Sequence, residues 1–76
     1  MKITARLAKN TRMLRAAAGL DQKQLADKAK ISKSYISKIE CGRGNVTIEI
    51  LEKVAKALGV GPDKLITKIK LNKAAT

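Results

Sequence analysis

Histidine, tryptophan and phenylalanine are absent from this 76-residue chain, and cysteine, proline and tyrosine each occur once. One cysteine forms no intramolecular disulfide, and without histidine the usual ligands of a structural zinc site are missing. No covalent or metal staple is therefore expected, and a reducing cytoplasm is the expected location. The lack of histidine also removes the commonest general base, while the six carboxylates are mostly isolated or spaced to pair with lysine. The glycines form no phosphate-binding pattern. Catalysis, a cofactor and a bound metal are accordingly not expected. Scarce aromatics weigh against single-stranded nucleic acid, whose bases stack on aromatic platforms and would find only Tyr35. The same shortage weighs against an interfacial membrane helix, which wants large apolar anchors. Arg6, Lys9 and Arg12 interrupt the first apolar stretch, and neither a signal-peptide core nor a membrane span can be drawn.

What the chain has in abundance is positive charge. Seventeen lysines and arginines stand against six acids, a net charge of +11. Residues 1–45 hold 11 basic and 3 acidic side chains, and residues 46–76 hold 6 and 3, so the excess lies toward the first part. Such a field attracts polyanions, and double-stranded DNA is the leading partner; the competing reading is an ordinary solvated surface. A chain of this length makes one domain and buries only about 60% of its unfolded surface, so a second subunit would add stability.

The punctuation spaces out four or five short helices. Ile3, Leu7, Leu14 and Ala18 recur at helical intervals before Gly19, which predicts a first helix over roughly 4–18, with Asn10 and Thr11 interrupting its apolar stripe. Asp21 followed by Gln24 forms a capping-box pattern ahead of Leu25, Ala26 and Ala29. A turn at Lys30-Ile31 leads to Ser32, the cap of a third helix running to about Glu40. Cys41 to Asn45 is a glycine-containing loop, and Thr47 caps a fourth helix with Ile48, Leu51, Val54, Ala55 and Leu58 on one face. Glu49/Lys53 and Glu52/Lys56 are spaced to pair on its other face. Gly59 ends it, and Pro62 suits the first position of a last turn at 62–66. Residues 67–76 form a short basic tail that fits a strand, a helical extension or disorder.

On a wheel of about 100° per residue, Ser32, Tyr35, Ile36, Ile39 and Glu40 fall on one side of the third helix. Lys33, Ser34, Ser37, Lys38 and Cys41 fall on the other. The outward group is small or cationic and carries no carboxylate, so such a helix can enter a groove, where hydroxyls and lysines meet base edges or phosphates. Periodicity alone fits a solvated face equally well.

Order and context make the pattern specific. Gln22-Lys-Gln-Leu-Ala, followed by Ile31-Ser-Lys-Ser-Tyr-Ile-Ser-Lys-Ile-Glu-Cys-Gly42, resembles the Cro and phage-repressor type of helix-turn-helix, the XRE family. The likeness extends from about Arg12 to Ile66. It implies an all-α, five-helix, lambda-repressor-like domain over 1–66 with its motif at about 22–41, the third helix lying in the major groove. It further implies that Lys33, Ser34 and Lys38 read bases, with Ser37 a weaker candidate. Gln22 would clamp a phosphate, and Ser32, Tyr35, Arg43 and Asn45 are further phosphate candidates. For Tyr35, core packing with a phosphate-bonded hydroxyl stands level with packing alone. Arg15 and Glu40 match positions that often form a structural ion pair.

Tyr35-Ile-Ser and the stretch from Gly42 through Asn45-Val-Thr-Ile are similar to the restriction-modification controller proteins within that family. Lys33 stands where those usually have arginine, and Gly44 replaces a second frequent arginine, which removes bidentate guanine recognition there. Lys30 fills a turn position usually held by glycine, and Thr11 replaces a usual apolar residue, which would loosen the packing of the first helix. Cys41 has no resolving partner and reads as an ordinary small residue. The function implied is transcription regulation by a homodimer on a palindromic operator, with Leu58, Val60, Leu65, Ile66, Ile69 and Leu71 as interface candidates that the core competes for. The alternative is an interaction module of the same fold, such as an antitoxin facing a toxin or a contact for RNA polymerase.

Overall fold

Three loops in the chain end in a residue whose side chain takes up a backbone N–H that the following helix leaves unpaired. Asp21 accepts from the amide of Gln24 at 2.7 Å while the Gln24 side chain accepts from the amide of Asp21 at 2.8 Å. The Ser32 hydroxyl accepts from the amide of Tyr35 at 3.0 Å, and that of Thr47 from the amide of Ile50 at 3.1 Å. Each such cap stabilises its helix by about 1 kcal/mol relative to alanine. The resulting computed structural model describes residues 3–43 and 45–67. Its helices are α1 (Ile3–Ala17), α2 (Gln22–Ala29), α3 (Lys33–Glu40), α4 (Ile48–Leu58) and α5 (Asp63–Ile66). Among the described residues there is no strand, and no helix is long and apolar enough to cross a membrane. The tail from residue 68, with Ile69 and Leu71, lies outside the described residues.

Helix ends follow their stop signals. Gly59 adopts φ 74° and donates its N–H to the carbonyls of Ala55 and Lys56. Lys30 does the same work for α2 without being glycine: at φ 60° and ψ 41° it is left-handed, and its N–H reaches the carbonyls of Ala26 and Asp27. The left-handed turn implied by the family pattern is thus kept, with the Cβ strain of about 1 kcal/mol that a side chain brings there.

Packing places α2 against both α3 and α4, and α1 against α3 and α5. Leu7, Leu25, Ala26, Ala29, Ile36, Ile39, Val54, Ala55 and Leu65 form the core between them. Expectations for α4 change here, and one alternative left open is resolved. Ile48, assigned to the inner face of α4, is 75% exposed, because periodicity reports azimuth and not how far along the axis a neighbouring helix reaches. Leu65, a candidate for an intersubunit contact, is fully buried in the core, while Leu58, Val60 and Ile66 are half-buried against it. The Glu49/Lys53 and Glu52/Lys56 pairs do not close; the described residues form ion pairs at Arg15–Glu40 and Lys23–Asp27. Exposed pairs gain little, about 0 to 1 kcal/mol, so one such pair closes while two others at the same spacing stay open.

The interruption in the stripe of α1 also has a use. Asn10 is 1% exposed, and its side-chain amide donates to the carbonyls of Lys64 (3.3 Å), Leu65 (3.0 Å) and Thr67 (2.7 Å). Those are carbonyls that a four-residue helix leaves without partners, so α1 caps α5. Thr11 is buried beside it, and its hydroxyl has no hydrogen-bond partner among the described residues. Its cost includes a desolvated hydroxyl.

Candidate nucleic-acid interface

The inward side of α3 is anchored by Ile36 and Ile39, both almost fully buried, and by Glu40 at 3% exposure. That anchoring leaves Lys33, Ser34 and Lys38 exposed together, with Ser37 half-buried and Cys41 exposed beyond them. The outward side carries no carboxylate, since the acid of this helix is turned inward. A row of hydroxyls and ammonium groups at helical spacing is what a helix needs in order to meet the base edges and phosphates of the major groove.

Ser32, Ser34, Tyr35, Lys38 and Asn45 line one hollow of about 320 Å³ beside this row. The structure thus gathers base-reading and phosphate candidates from the cap of α3, its outer face and the following loop. Ser32 accepts the Tyr35 amide and keeps its hydroxyl proton available to donate. Tyr35 has a different partner from the one considered: its hydroxyl donates to the carbonyl of Asn45 at 2.6 Å. That bond ties the loop to α3 and engages the one proton the hydroxyl has to donate. Asn45 is exposed, its backbone held by that bond. Arg43 is also exposed and borders a second hollow, of about 700 Å³, with Arg12, Cys41 and the first turns of α1.

Behind the row sits a polar knot. Arg15 Nε donates to Glu40 Oε2 at 2.6 Å and its Nη2 to Oε1 at 3.0 Å, while Nη1 donates to the carbonyl of Leu20 at 2.9 Å. Arg12 Nη1 donates to the carbonyl of Glu40 at 2.6 Å. The Gln22 side chain, half-buried at the start of α2, donates from Nε2 to Glu40 Oε1 at 3.0 Å. The hydrogen bonds that Arg15 donates to Glu40 hold its guanidinium above its ordinary pKa, outweighing the effect of burial. A raised folded-state value gives stability that is fully present below the unfolded value and is lost as pH rises through the folded one. For arginine that window is strongly alkaline, so this group adds no pH dependence near neutrality.

Residue spacing showed none of Asn10 capping α5, Arg12 reaching the end of α3, or Gln22 bonding Glu40. Each joins residues far apart in sequence; the one visible sign was a polar Asn10 inside an apolar stripe.

A family model described as "Helix-turn-helix" matches residues 12–65. A protein named as a hypothetical transcription factor from Neisseria meningitidis is 36% identical over 64 residues, 84% of this chain and 60% of that protein. This chain therefore matches about 60% of the length of that relative. Control protein C.SmaI of Serratia marcescens is 38% identical over 68 residues, 90% of this chain and 81% of that protein. The crystal structure of the restriction-modification controller protein C.AhdI from Aeromonas hydrophila superposes with a TM-score of 0.79 at 34% identity, covering 82% of this chain and 94% of that one.

Proposed function

The chain belongs to the XRE-type helix-turn-helix family, and from that membership we propose that it is a transcription regulator that binds double-stranded DNA sequence-specifically through α3 in the major groove. The observation that carries this is the exposed, carboxylate-free row of Lys33, Ser34 and Lys38 on a helix whose one acid is buried and paired. Lys33 and Lys38 reach guanine acceptors or phosphate, and Ser34 lets the backbone approach base edges, with Ser37 a lesser reader. Ser32, Gln22, Arg43 and Asn45 hold the DNA backbone and set the register. The net charge of +11 supplies affinity that falls as salt rises.

Two copies on a palindromic site would place their recognition helices about 34 Å apart, one helical turn of DNA. Ile48, exposed on α4, and the half-buried Leu58, Val60 and Ile66 offer apolar surface for such a pairing. Neither a cofactor nor a metal is needed, and the cytoplasm is the setting this reading calls for.

Selection of bound sequences from random duplex DNA at near-physiological salt tests the proposal. The parent should enrich a palindrome with half-sites about one helical turn apart, and Lys33→Ala with Lys38→Ala should lose it. Weak binding with no enrichment, abolished by added salt, would overturn the reading and favour a protein partner for this surface.

A further inference from the structure

On the reading that the chain binds duplex DNA, we propose that Glu40 is a positioning residue for the Gln22 phosphate contact, turning and holding the Gln22 amide as well as anchoring α3 to α1. A glutamine amide has two ends of opposite character: its carbonyl accepts and its NH₂ donates. A phosphate only accepts, so an unrestrained glutamine presents the wrong end in part of its conformations. The carboxylate of Glu40 is also a pure acceptor and therefore selects the NH₂ end, which donates to Oε1 at 3.0 Å. Nε2 carries two hydrogens; Glu40 engages one, and the other remains for the DNA backbone.

The carboxylate is itself immobilised. Arg15 binds both of its oxygens, at 2.6 and 3.0 Å, and the residue is 3% exposed, so the direction of Oε1 toward Gln22 is fixed before DNA arrives. Arg15 also offsets a negative charge that would otherwise oppose a nearby phosphate. Arg12, bonded to the Glu40 carbonyl, adds a second cation at the same helix end. The order of control runs from Arg15 through Glu40 to Gln22, linking α1, α3 and α2 in the geometry of one contact.

A double-mutant cycle on DNA affinity separates positioning from stability. Dissociation constants for a selected duplex are measured for the parent, Gln22→Ala, Glu40→Ala and the double variant, each corrected by circular dichroism to the folded fraction. Losing a hydrogen bond to a charged group should weaken the parent about tenfold on Gln22→Ala. In the Glu40→Ala background the same change should cost less than about twofold, because the amide is no longer pre-set. Glu40→Met serves if the alanine variant does not fold: it keeps the length of the side chain but offers no strong acceptor to the Gln22 amide, and the dependence on Gln22 should again disappear. Equal losses in both backgrounds would reduce Glu40 to a structural role and overturn the inference, as would a Gln22→Ala variant that binds like the parent. Failure of the parent to bind any duplex would instead overturn the DNA-binding reading on which the inference rests.

Discussion

Helix α1 is fastened to its neighbours at two places by buried polar side chains, and the two use different chemistry. Toward α3 the anchor is charged: Glu40 takes two hydrogen bonds from Arg15 and one from Gln22. Toward α5 the anchor is neutral: the Asn10 amide donates to three backbone carbonyls. The neutral anchor closes a helix end and touches no candidate DNA contact. The charged one shares its carboxylate with Gln22, a candidate phosphate contact. Stability alone would be served by either, so the difference marks the α1–α3 seam as the place where the scaffold and the reading surface are coupled.

Mutations can break this contrast. Glu40→Ala leaves Arg15 partly buried without its partner, and breaking a buried pair costs about 3 to 5 kcal/mol; thermal unfolding should show this as the largest loss of the series, with weakened DNA binding by the folded fraction. Asn10→Ala should cost about 2 kcal/mol by stranding carbonyls at the end of α5, while the affinity of the folded protein for DNA stays at the parent value. If Asn10→Ala weakened binding as much as Glu40→Ala, the two anchors would not be separable.

Smaller changes sharpen it. Thr11→Val removes the buried, unpartnered hydroxyl at similar shape and should stabilise by about 1 kcal/mol, raising Tm by roughly 4–8 °C for a domain of this size. Lys30→Gly relieves the left-handed strain and should gain up to about 1 kcal/mol, less the entropy that glycine adds to the unfolded chain. Lys33→Ala with Lys38→Ala, on the exposed face, should leave stability within about 0.5 kcal/mol of the parent and still lower DNA affinity.

The local grammar of the fold was legible in the sequence. Asp21, Ser32 and Thr47 are caps and Gly59 is a stop because each acts on backbone within a few residues, so spacing alone reveals them. That Lys33, Ser34 and Lys38 share an exposed face was legible too, since one helical face needs only azimuth. Ile48 went astray because azimuth carries no information on how far a partner helix extends, and Leu65 took the core, one of the two places the sequence left open to it. Gln22–Glu40, Tyr35–Asn45 and Asn10 with the end of α5 depend on how the helices meet, which no local pattern encodes. Arg15–Glu40 was anticipated only because the family pattern carries that long-range pairing.

Binding through α3 in the major groove is the central claim, and methylation interference on a selected duplex tests it most directly. Guanine N7 lies in the major groove and adenine N3 in the minor. Methylation of N7 within each half-site should block binding, with N3 methylation there tolerated. Binding indifferent to N7 methylation and abolished by N3 methylation would contradict the claim.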